Sequence, residues 1–591
     1  MPSQLMSRRD LDFLLHEWLR VSDSSDQAAG SVDRETVDAV LDLAEQVATR
    51  FFASHNRRSD AEEPQFDGTR VRVHDEVAPA LAAYFEAGFG GMTMPEELGG
   101  SDLPVVVAQA ADLWFSAANV STAGYPFLTK ANANLLRAHA TPEQVDTWVR
   151  PMVEGRYLGT MCLSEPQAGS SLSDVTTRAE PHDDGTYRVR GNKMWISAGD
   201  HELSDNIVHL VLARVVGAPA GVKGLSLFIV PKVLPDGARN DVQLAGLNHK
   251  MGMRGITNTL LNFGEADGAV GYLVGEENRG LAYMFHMMNE ARVGVGTSAV
   301  ALGYSGYLHA LGYARSRPQG RPIGVKDPAT PMVPIVEHAD VRRMLLAMKS
   351  YVEGGLALEL YCGRLLDEER TAADPDQAAR VRLLLEILTP IAKSWPSQWC
   401  LAANDLAIQV HGGYGYTREY PVEQLWRDNR LNAIHEGTHG IQALDLLGRK
   451  VTMADGAAVQ LLVERMQATI DRAATVPGAP ATHAAELSAY LRRTVEVTAA
   501  LWSTGDPTLA LADASTYLEV LGHLVVAWLW LDVEVVATAT EPGAAADEPF
   551  YAGKRAAARY FFTRELPRLG AQLDLLAEMD GLLVHLDPEV L

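Results

Sequence analysis

The segment Ile434–Leu447, I-H-E-G-T-H-G-I-Q-A-L-D-L-L, sets a single carboxylate, Glu436, against a glycine and a hydroxyl, with an apolar run at helical spacing behind it. A Glu-Gly pair alone occurs by chance in any chain this long. Two stretches upstream change its weight: Met161–Ser170, M-C-L-S-E-P-Q-A-G-S, and Asn192–Gly199, N-K-M-W-I-S-A-G. Three such motifs in a fixed order are far more specific than any one of them.

Outward from these motifs the texture of the chain changes three times. Residues 1–159 read mainly as helices, a domain with a leading extension. Leu11, Leu14, Leu15 and Leu19 fall at helical spacing, as do Val37, Val40, Leu41, Leu43 and Ala44. Arg57–Gly68 is polar and predicts a loop, and Gly99-Gly100 with Asp102-Leu103-Pro104 predicts a break, with helix resuming to about Ala118. Residues 160–278 predict a central all-β domain. Tyr187–Arg190 and Lys193–Ile196 alternate about Gly191-Asn192, a hairpin signal, and Val208–Val215, Leu225–Val230 and Asn258–Phe263 are short and β-branched.

Helical periodicity returns at Leu281 and predicts a bundle over 279–450, interrupted by the proline-rich Arg317–Pro334 and ending with Gly448 as its C′ residue. Residues 451–591 predict a further helical domain, punctuated at Pro477–Pro480 and Glu541–Pro549. The fold class is mainly α with a central β domain.

Composition narrows the function classes. At 591 residues several packed units are expected, and a hydrophobic fraction of 47% with 21% charged residues is globular. A formal net charge of −24 argues against a nucleic-acid partner. Cys162, Cys362 and Cys400 give neither a disulfide framework nor metal-ligand spacing, which fits a reducing cytoplasm; no metal site is expected. Ser7-Arg8-Arg9 is followed by charge rather than an apolar stretch, and Val520–Leu531 is short enough to read as a buried helix, so no membrane insertion is expected. Gly294-Val295-Gly296 lacks the third glycine of a nicotinamide-binding turn and lies in a helical stretch.

The three motifs, in this order, resemble the acyl-CoA dehydrogenase family over roughly residues 75–450. The C-terminal helices resemble its long forms. The long N-terminal lead, the proline-rich insert and Val341–Leu346 (V-R-R-M-L-L) look most like the bacterial 3-methylmercaptopropionyl-CoA dehydrogenase group. The resemblance implies an FAD enzyme that converts an acyl-CoA to a trans-2-enoyl-CoA and passes electrons to an electron-transferring flavoprotein. It implies Glu436 as the base for the α-proton, its backbone N–H being one donor to the thioester oxygen. No side chain accepts hydride, so the flavin is required.

By the same resemblance Cys162, Leu163, Ser164, Trp195, Ile196 and Ser197 meet the flavin ring, and Gly169 and Ser170 the pyrophosphate, Ser170 also reaching substrate. Tyr313–Arg317 resembles Y-A-x-x-R, whose last arginine reaches the partner subunit's FAD; Arg317 takes that role, with Arg315 as the alternative. Gln409, Gly412 and Gly413 match Q-x-x-G-G, and Thr438 and Gln442 match FAD contacts. Asn289, Arg292, His435 and Gly437 match substrate positions; by charge alone a surface ion pair of Arg292 with Glu290 or Asp340 reads equally well. His435 stands where the family commonly has Tyr. Protonated, it would stabilise the Glu436 carboxylate; neutral, it would make the acyl pocket more polar. A homodimer is implied. The alternatives are an acyl-CoA oxidase using O2 and a DNA-binding alkylation-response relative, which the acidic Glu541, Asp547 and Glu548 disfavour.

Overall fold

The computed structural model describes residues 3–22, 32–539 and 547–591. Contacts gather the chain into two compact units, Glu35–Gly294 and Met1–Arg34 with Val295–Leu591.

The first unit begins with helix α1 (Arg34–Val47), whose buried Val37, Leu41, Ala44 and Val47 lie on one stripe. The polar stretch expected as a loop contains a helix instead, Asn56–Ala61: Ser59 and Asp60 are buried there, so polar composition concealed an inward face. The break at Gly99–Pro104 is present, and α2 (Val105–His139) follows it. This helix is interrupted at Asn119, with φ −163° and ψ 91°, whose side chain accepts from Thr122 N at 3.1 Å, and then runs on to His139.

Eight strands form the central sheet: β1 (Tyr157–Cys162), β2 (Arg178–Pro181), β3 (Tyr187–Ser197), β4 (Asn206–Val215), β5 (Leu225–Pro231), β6 (Val242–Leu247), β7 (Asn258–Phe263) and β8 (Ala269–Leu273). Pairing runs β8-β5-β4-β2-β3 and returns from β3 to β8, closing a small barrel; β7 and β6 continue from β3, and β1 lies parallel to β4. The hairpin expected at Gly191-Asn192 is absent. β3 is one strand of 11 residues, and Gly191 serves a close approach to Thr177 that a Cβ would block. Its register slips between Lys193 and Ile196, a bulge that sets up the turn beyond.

The second unit is helical. Its bundle comprises α3 from Val295 onward (the whole helix is Gly280–Ser316), α4 (Ala339–Thr371), α5 (Pro375–His411), α6 (Val422–Arg430) and the short α7 (His439–Asp445). The proline-rich loop falls between α3 and α4 as expected. Gly448 does not end the bundle: it sits inside a π-helical turn, Leu446–Lys450, that carries the chain onward. Beyond it come α8 (Ala457–Ala474), α9 (Ala479–Ser503), α10 (Ala514–Ala539), α11 (Glu548–Tyr560) and α12 (Leu569–Glu578). Among the described residues α10 alone is long and apolar enough to cross a membrane, and 89% of its apolar window is buried. Of the break expected at Glu541–Pro549, Glu541 to Ala546 lie outside the described residues.

The leader, read from sequence as the head of the N-terminal domain, packs within this second unit. Asp10 is buried with Lys554 and accepts from Tyr304 OH at 2.8 Å, and Lys554 also reaches Glu353 at 2.9 Å. Trp18 Nε1 donates to Asp532 at 2.9 Å. Buried charges survive only when paired and hydrogen-bonded, so this network fixes the leader's seat on the bundle and the extension.

Candidate functional site

In the first unit the flavin-type motifs converge through a buried ion pair. Lys193, in β3, is fully buried; its Nζ donates to Leu163 O at 2.9 Å and to Glu165 Oε1 at 3.0 Å. Glu165 also accepts from the backbone N–H and hydroxyl of both Thr176 and Thr177, at 2.5–3.0 Å. Burial pushes the Glu165 carboxyl up, but Lys193 and these donors outweigh it and bring it down to about 2. Met194 N donates to Ser164 O at 3.0 Å. The strand and the turn after β1 are thereby locked together.

Two residues after Lys193 the backbone turns left-handed. Trp195 has φ 65° and Ala198 φ 56°, and the Trp195 ring is 59% exposed. A large aromatic is thus held outward, away from the core, on a backbone conformation costing ~1–3 kcal/mol. Its neighbours divide by direction. Ile196 is buried in the barrel core, so only its backbone faces outward, and Ser197 is half-buried with its hydroxyl accepting from Asn258 at 3.3 Å. Cys162 is buried and burial pushes its thiol up to about 12, so it is inert packing. Gly169 and Ser170 are exposed, and a Cβ at Gly169 would meet nothing within 4 Å.

Asn289 and Arg292 lie on the part of α3 that belongs to this unit, Arg292 buried and Asn289 half-buried. Glu290 accepts from Asn134 at 2.8 Å, and Asp340, in the other unit, pairs with Arg343 at 2.8 Å.

The second unit carries the carboxylate. Glu436 sits half-buried at φ 53°, followed by Gly437 at φ 89°, and Thr438 caps α7 by accepting from Ile441 N at 3.4 Å. A non-glycine residue in this conformation costs ~1–3 kcal/mol and persists only where the surroundings enforce it. The enforcement is visible. Gln442, fully buried, donates to Glu436 O at 2.9 Å and to Gly437 O at 3.4 Å. Lys393, fully buried on α5, donates to Gly437 O at 2.6 Å. At φ 89° Gly437 is in the conformation that favours glycine, and a Cβ there would press on the Gln442 amide.

A second set of bonds fixes His435. Asn429 Nδ2 donates to Asn404 Oδ1 at 2.7 Å and to Ala299 O at 3.1 Å, and Asn432 Nδ2 donates to Asn429 Oδ1 at 3.0 Å. The remaining oxygen of Asn432 faces His435 Nε2 at 3.0 Å, so that nitrogen carries the proton. Burial, then the Lys393 cation, lowers His435 to about 3; burial, then Lys393 and Arg430, lowers His439 to about 4. Both imidazoles are neutral at neutral pH.

Arg317 and the glycine run also come together. Arg317 follows the end of α3, exposed, with its guanidinium 5.6 Å over the Tyr414 ring, and Tyr313 stacks on His411 at 4.4 Å. Gln409, Gly412 and Gly413 are exposed, and a Cβ at either glycine would meet nothing within 4 Å. Arg315 is exposed one residue short of the α3 terminus. Each unit thus offers groups suited to an aromatic, phosphate-bearing cofactor: an outward indole with an open glycine-serine turn in one, a guanidinium beside an open glycine turn in the other.

Sequence reasoning missed Glu165, Lys193 and Lys393 and the three asparagines. Glu165 and Lys193 stood inside quoted motifs as charges amid strand residues. Lys393 was signalled only as a lone cation in the apolar stretch Ile387–Trp399. Nothing in the pattern marks Asn404, Asn429 or Asn432.

A closed β domain with an outward tryptophan turn, followed by a bundle that presents a carboxylate on a capped left-handed turn, defines an acyl-CoA dehydrogenase architecture. Family models agree along the chain: "Acyl-CoA dehydrogenase, N-terminal domain" at 34–156, "middle domain" at 160–265, "C-terminal domain" at 278–451, and "Acetyl-CoA dehydrogenase C-terminal like" at 462–587. The chain belongs to the acyl-CoA dehydrogenase family. It is 37% identical to the 3-methylmercaptopropionyl-CoA dehydrogenase of Ruegeria pomeroyi, over 95% of this chain and 96% of that protein. It is 26% identical to CarC, a subunit of the caffeyl-CoA reductase–Etf complex of Acetobacterium woodii, over 63% of this chain and 89% of that one. An acyl-CoA dehydrogenase of Bacillus anthracis, solved complexed with FAD, shares the fold with TM-score 0.74 and 19% identity, covering 96% of this chain and 95% of its own.

Proposed function

We propose that this chain carries out FAD-dependent α,β-dehydrogenation of an acyl-CoA thioester to the trans-2-enoyl-CoA, with Glu436 as the base. The observation that carries this is the Glu436 turn, a half-buried carboxylate on a left-handed backbone whose carbonyls are gripped by two buried side chains. Positioning of that quality is what abstraction of an α-proton needs. Glu436 takes the α-proton as the Cα–H bond breaks, and its electron pair becomes the new Cα–Cβ double bond. FAD, when bound, supplies the two-electron acceptor for the hydrogen leaving Cβ.

Leu163, Ser164, Trp195 and Ser197, with the backbone of Cys162 and Ile196, hold the flavin ring, and Gly169 and Ser170 its phosphates. Thr438 and Gln442 add contacts. Arg317, Gln409, Gly412 and Gly413 grip the dinucleotide of the second subunit of a homodimer. Asn289 and Arg292 meet the CoA end, and His435 and Gly437 line the acyl group. A neutral, polar His435 favours a short or heteroatom-bearing acyl chain, a thioether such as that of the Ruegeria relative's substrate included. With FAD and substrate bound, electrons would pass to an electron-transferring flavoprotein, since a site covered by substrate would keep out water and oxygen.

Anaerobic titration with 3-methylmercaptopropionyl-, butyryl- and palmitoyl-CoA tests this reading. The two short substrates should bleach the flavin fastest and yield the enoyl-CoA. Reoxidation should then be fast with an electron-transferring flavoprotein and slow with O2. Absence of bleaching by every acyl-CoA contradicts the proposal, and rapid aerobic recovery with stoichiometric peroxide makes the protein an oxidase.

A further inference from the structure

Lys393 has no place in the roles just assigned, yet it is a fully buried charged group bonded to the Glu436 turn. It stands on α5, in the stretch Ile387–Trp399, where Ile387, Leu388, Ile391, Ala392 and Trp395 are buried. Its side chain is completely covered, and its Nζ lies 2.6 Å from Gly437 O. Burying an ammonium is expensive, and a position that needed only volume would be filled by Met or Leu. What the ammonium supplies here is a charge-assisted bond, stronger than a neutral one, to the Gly437–Thr438 peptide, one beyond the peptide that follows Glu436.

Together with the Glu436–Gly437 peptide, the Gly437–Thr438 peptide makes up the turn from which the carboxylate projects. With φ at 53° for Glu436 and 89° for Gly437, two consecutive residues are left-handed, a backbone path that persists only while the carbonyls along it are restrained. Gln442 restrains the first carbonyl, that of Glu436, at 2.9 Å, and reaches the second at only 3.4 Å. The short bond to the second carbonyl comes from Lys393.

We infer that Lys393 is a positioning residue for the dehydrogenation, holding the Gly437 carbonyl so that Glu436 stays in its left-handed, proton-abstracting conformation. The inference rests on Glu436 being the base. It acts through the turn and not on substrate or cofactor, so its loss should be felt in the rate of α-proton removal and not in ligand affinity. The same cation helps keep His435 and His439 neutral, which places it electrostatically on both flanks of the turn.

The test uses FAD-loaded full-length protein and single-turnover flavin reduction by butyryl-CoA. Lys393→Met should slow reduction at saturating substrate by on the order of 10²-fold, the cost of a small misplacement of a reacting group. Its FAD content and its affinity for the non-reacting enoyl product should stay within about threefold of wild type. Lys393→Ala should regain part of the lost rate with added propylammonium and none with 1-propanol, since a donor and not volume is missing. In a Glu436→Gln background Lys393→Met should cost nothing more. If Glu436→Gln alone is inactive while Lys393→Met reduces its flavin at wild-type rate, the inference fails and the base assignment stands. If Glu436→Gln reduces at wild-type rate, the base assignment itself fails. Loss of bound FAD or of the folded protein in both Lys393 variants makes Lys393 a residue of bundle stability and overturns the inference.

Discussion

Two turns of this protein, one at Trp195 and one at Glu436, use the same device and build it differently. Each puts a non-glycine residue into the left-handed region, at φ 65° and 53°, and each is tied down by a fully buried lysine that donates to a backbone carbonyl. At Trp195 the lysine is two residues away on the same strand, and its charge is matched by Glu165, which the threonines saturate. At Glu436 the lysine comes from a different helix, 44 residues ahead of the carbonyl it holds. A turn that only has to present a flat surface can be braced within its own strand. The Glu436 turn is braced by the bundle core, where the anchoring helix is buried from Ile387 through Ser397.

The comparison predicts that breaking the two braces has different consequences. Lys193→Met should be the more damaging to the fold, because it strands Glu165 as an uncompensated buried carboxylate, at about 3–5 kcal/mol. The expected readouts are loss of retained FAD and a markedly lower melting temperature. The same pair gives a pH signature. The Glu165 carboxyl is held at about 2 against an ordinary 4.5, so its contribution to stability is complete above pH 4.5 and is lost as the pH falls toward 2. Acid unfolding of the wild type should therefore expose flavin as the pH falls through that window, and Glu165→Gln should flatten the dependence. An unchanged acid profile in the variant would remove the ion pair from the account.

Trp195→Ala is expected to cost less, weakening FAD binding by roughly tenfold, since it deletes aromatic contact and leaves the Lys193–Glu165 brace intact. Equilibrium release of FAD, followed by flavin fluorescence, measures it. Unchanged retention would return the exposed ring to an ordinary surface residue.

The smallest effect should come from His435→Phe. With His435 at about 3, against an ordinary 6.5, the imidazole does not titrate between pH 6 and 8, so the pH profile of flavin reduction there should be that of the wild type. What should move is preference, away from 3-methylmercaptopropionyl-CoA and toward simple alkyl chains. A wild-type limb near pH 6.5 that disappears in the variant would show that the imidazole is charged in the working enzyme.

The contrast between the turns also explains what the sequence disclosed. The Trp195 turn was legible through its motif, N-K-M-W-I-S, but its brace was not, although Lys193 shares that motif and Glu165 shares another with Leu163 and Ser164. The Glu436 turn was legible as a carboxylate between a histidine and a glycine, but not its support, because Lys393 reaches it from another helix, and Asn404 and Asn429 act on His435 only through Asn432, leaving no contiguous pattern. The same limit applies to the fold. Helical and strand stretches with clear periodicity stand where spacing put them. Gly191-Asn192 and Gly448 misled, since a glycine that permits close packing or a π-helical turn reads in sequence like a glycine that ends an element. The helix at Asn56–Ala61 was hidden by polar residues that turn inward, and the leader's docking by buried charges that composition counts as surface.

The most direct test of the account is single-turnover flavin reduction in Glu436→Gln, which exchanges carboxylate for amide at nearly constant volume and leaves both braces in place. The expected protein is yellow, FAD-loaded and able to bind acyl-CoA, with flavin reduction slowed on the order of 10²–10⁴-fold. Bleaching by butyryl-CoA at near wild-type rate would contradict it, and with it the assignment of the base.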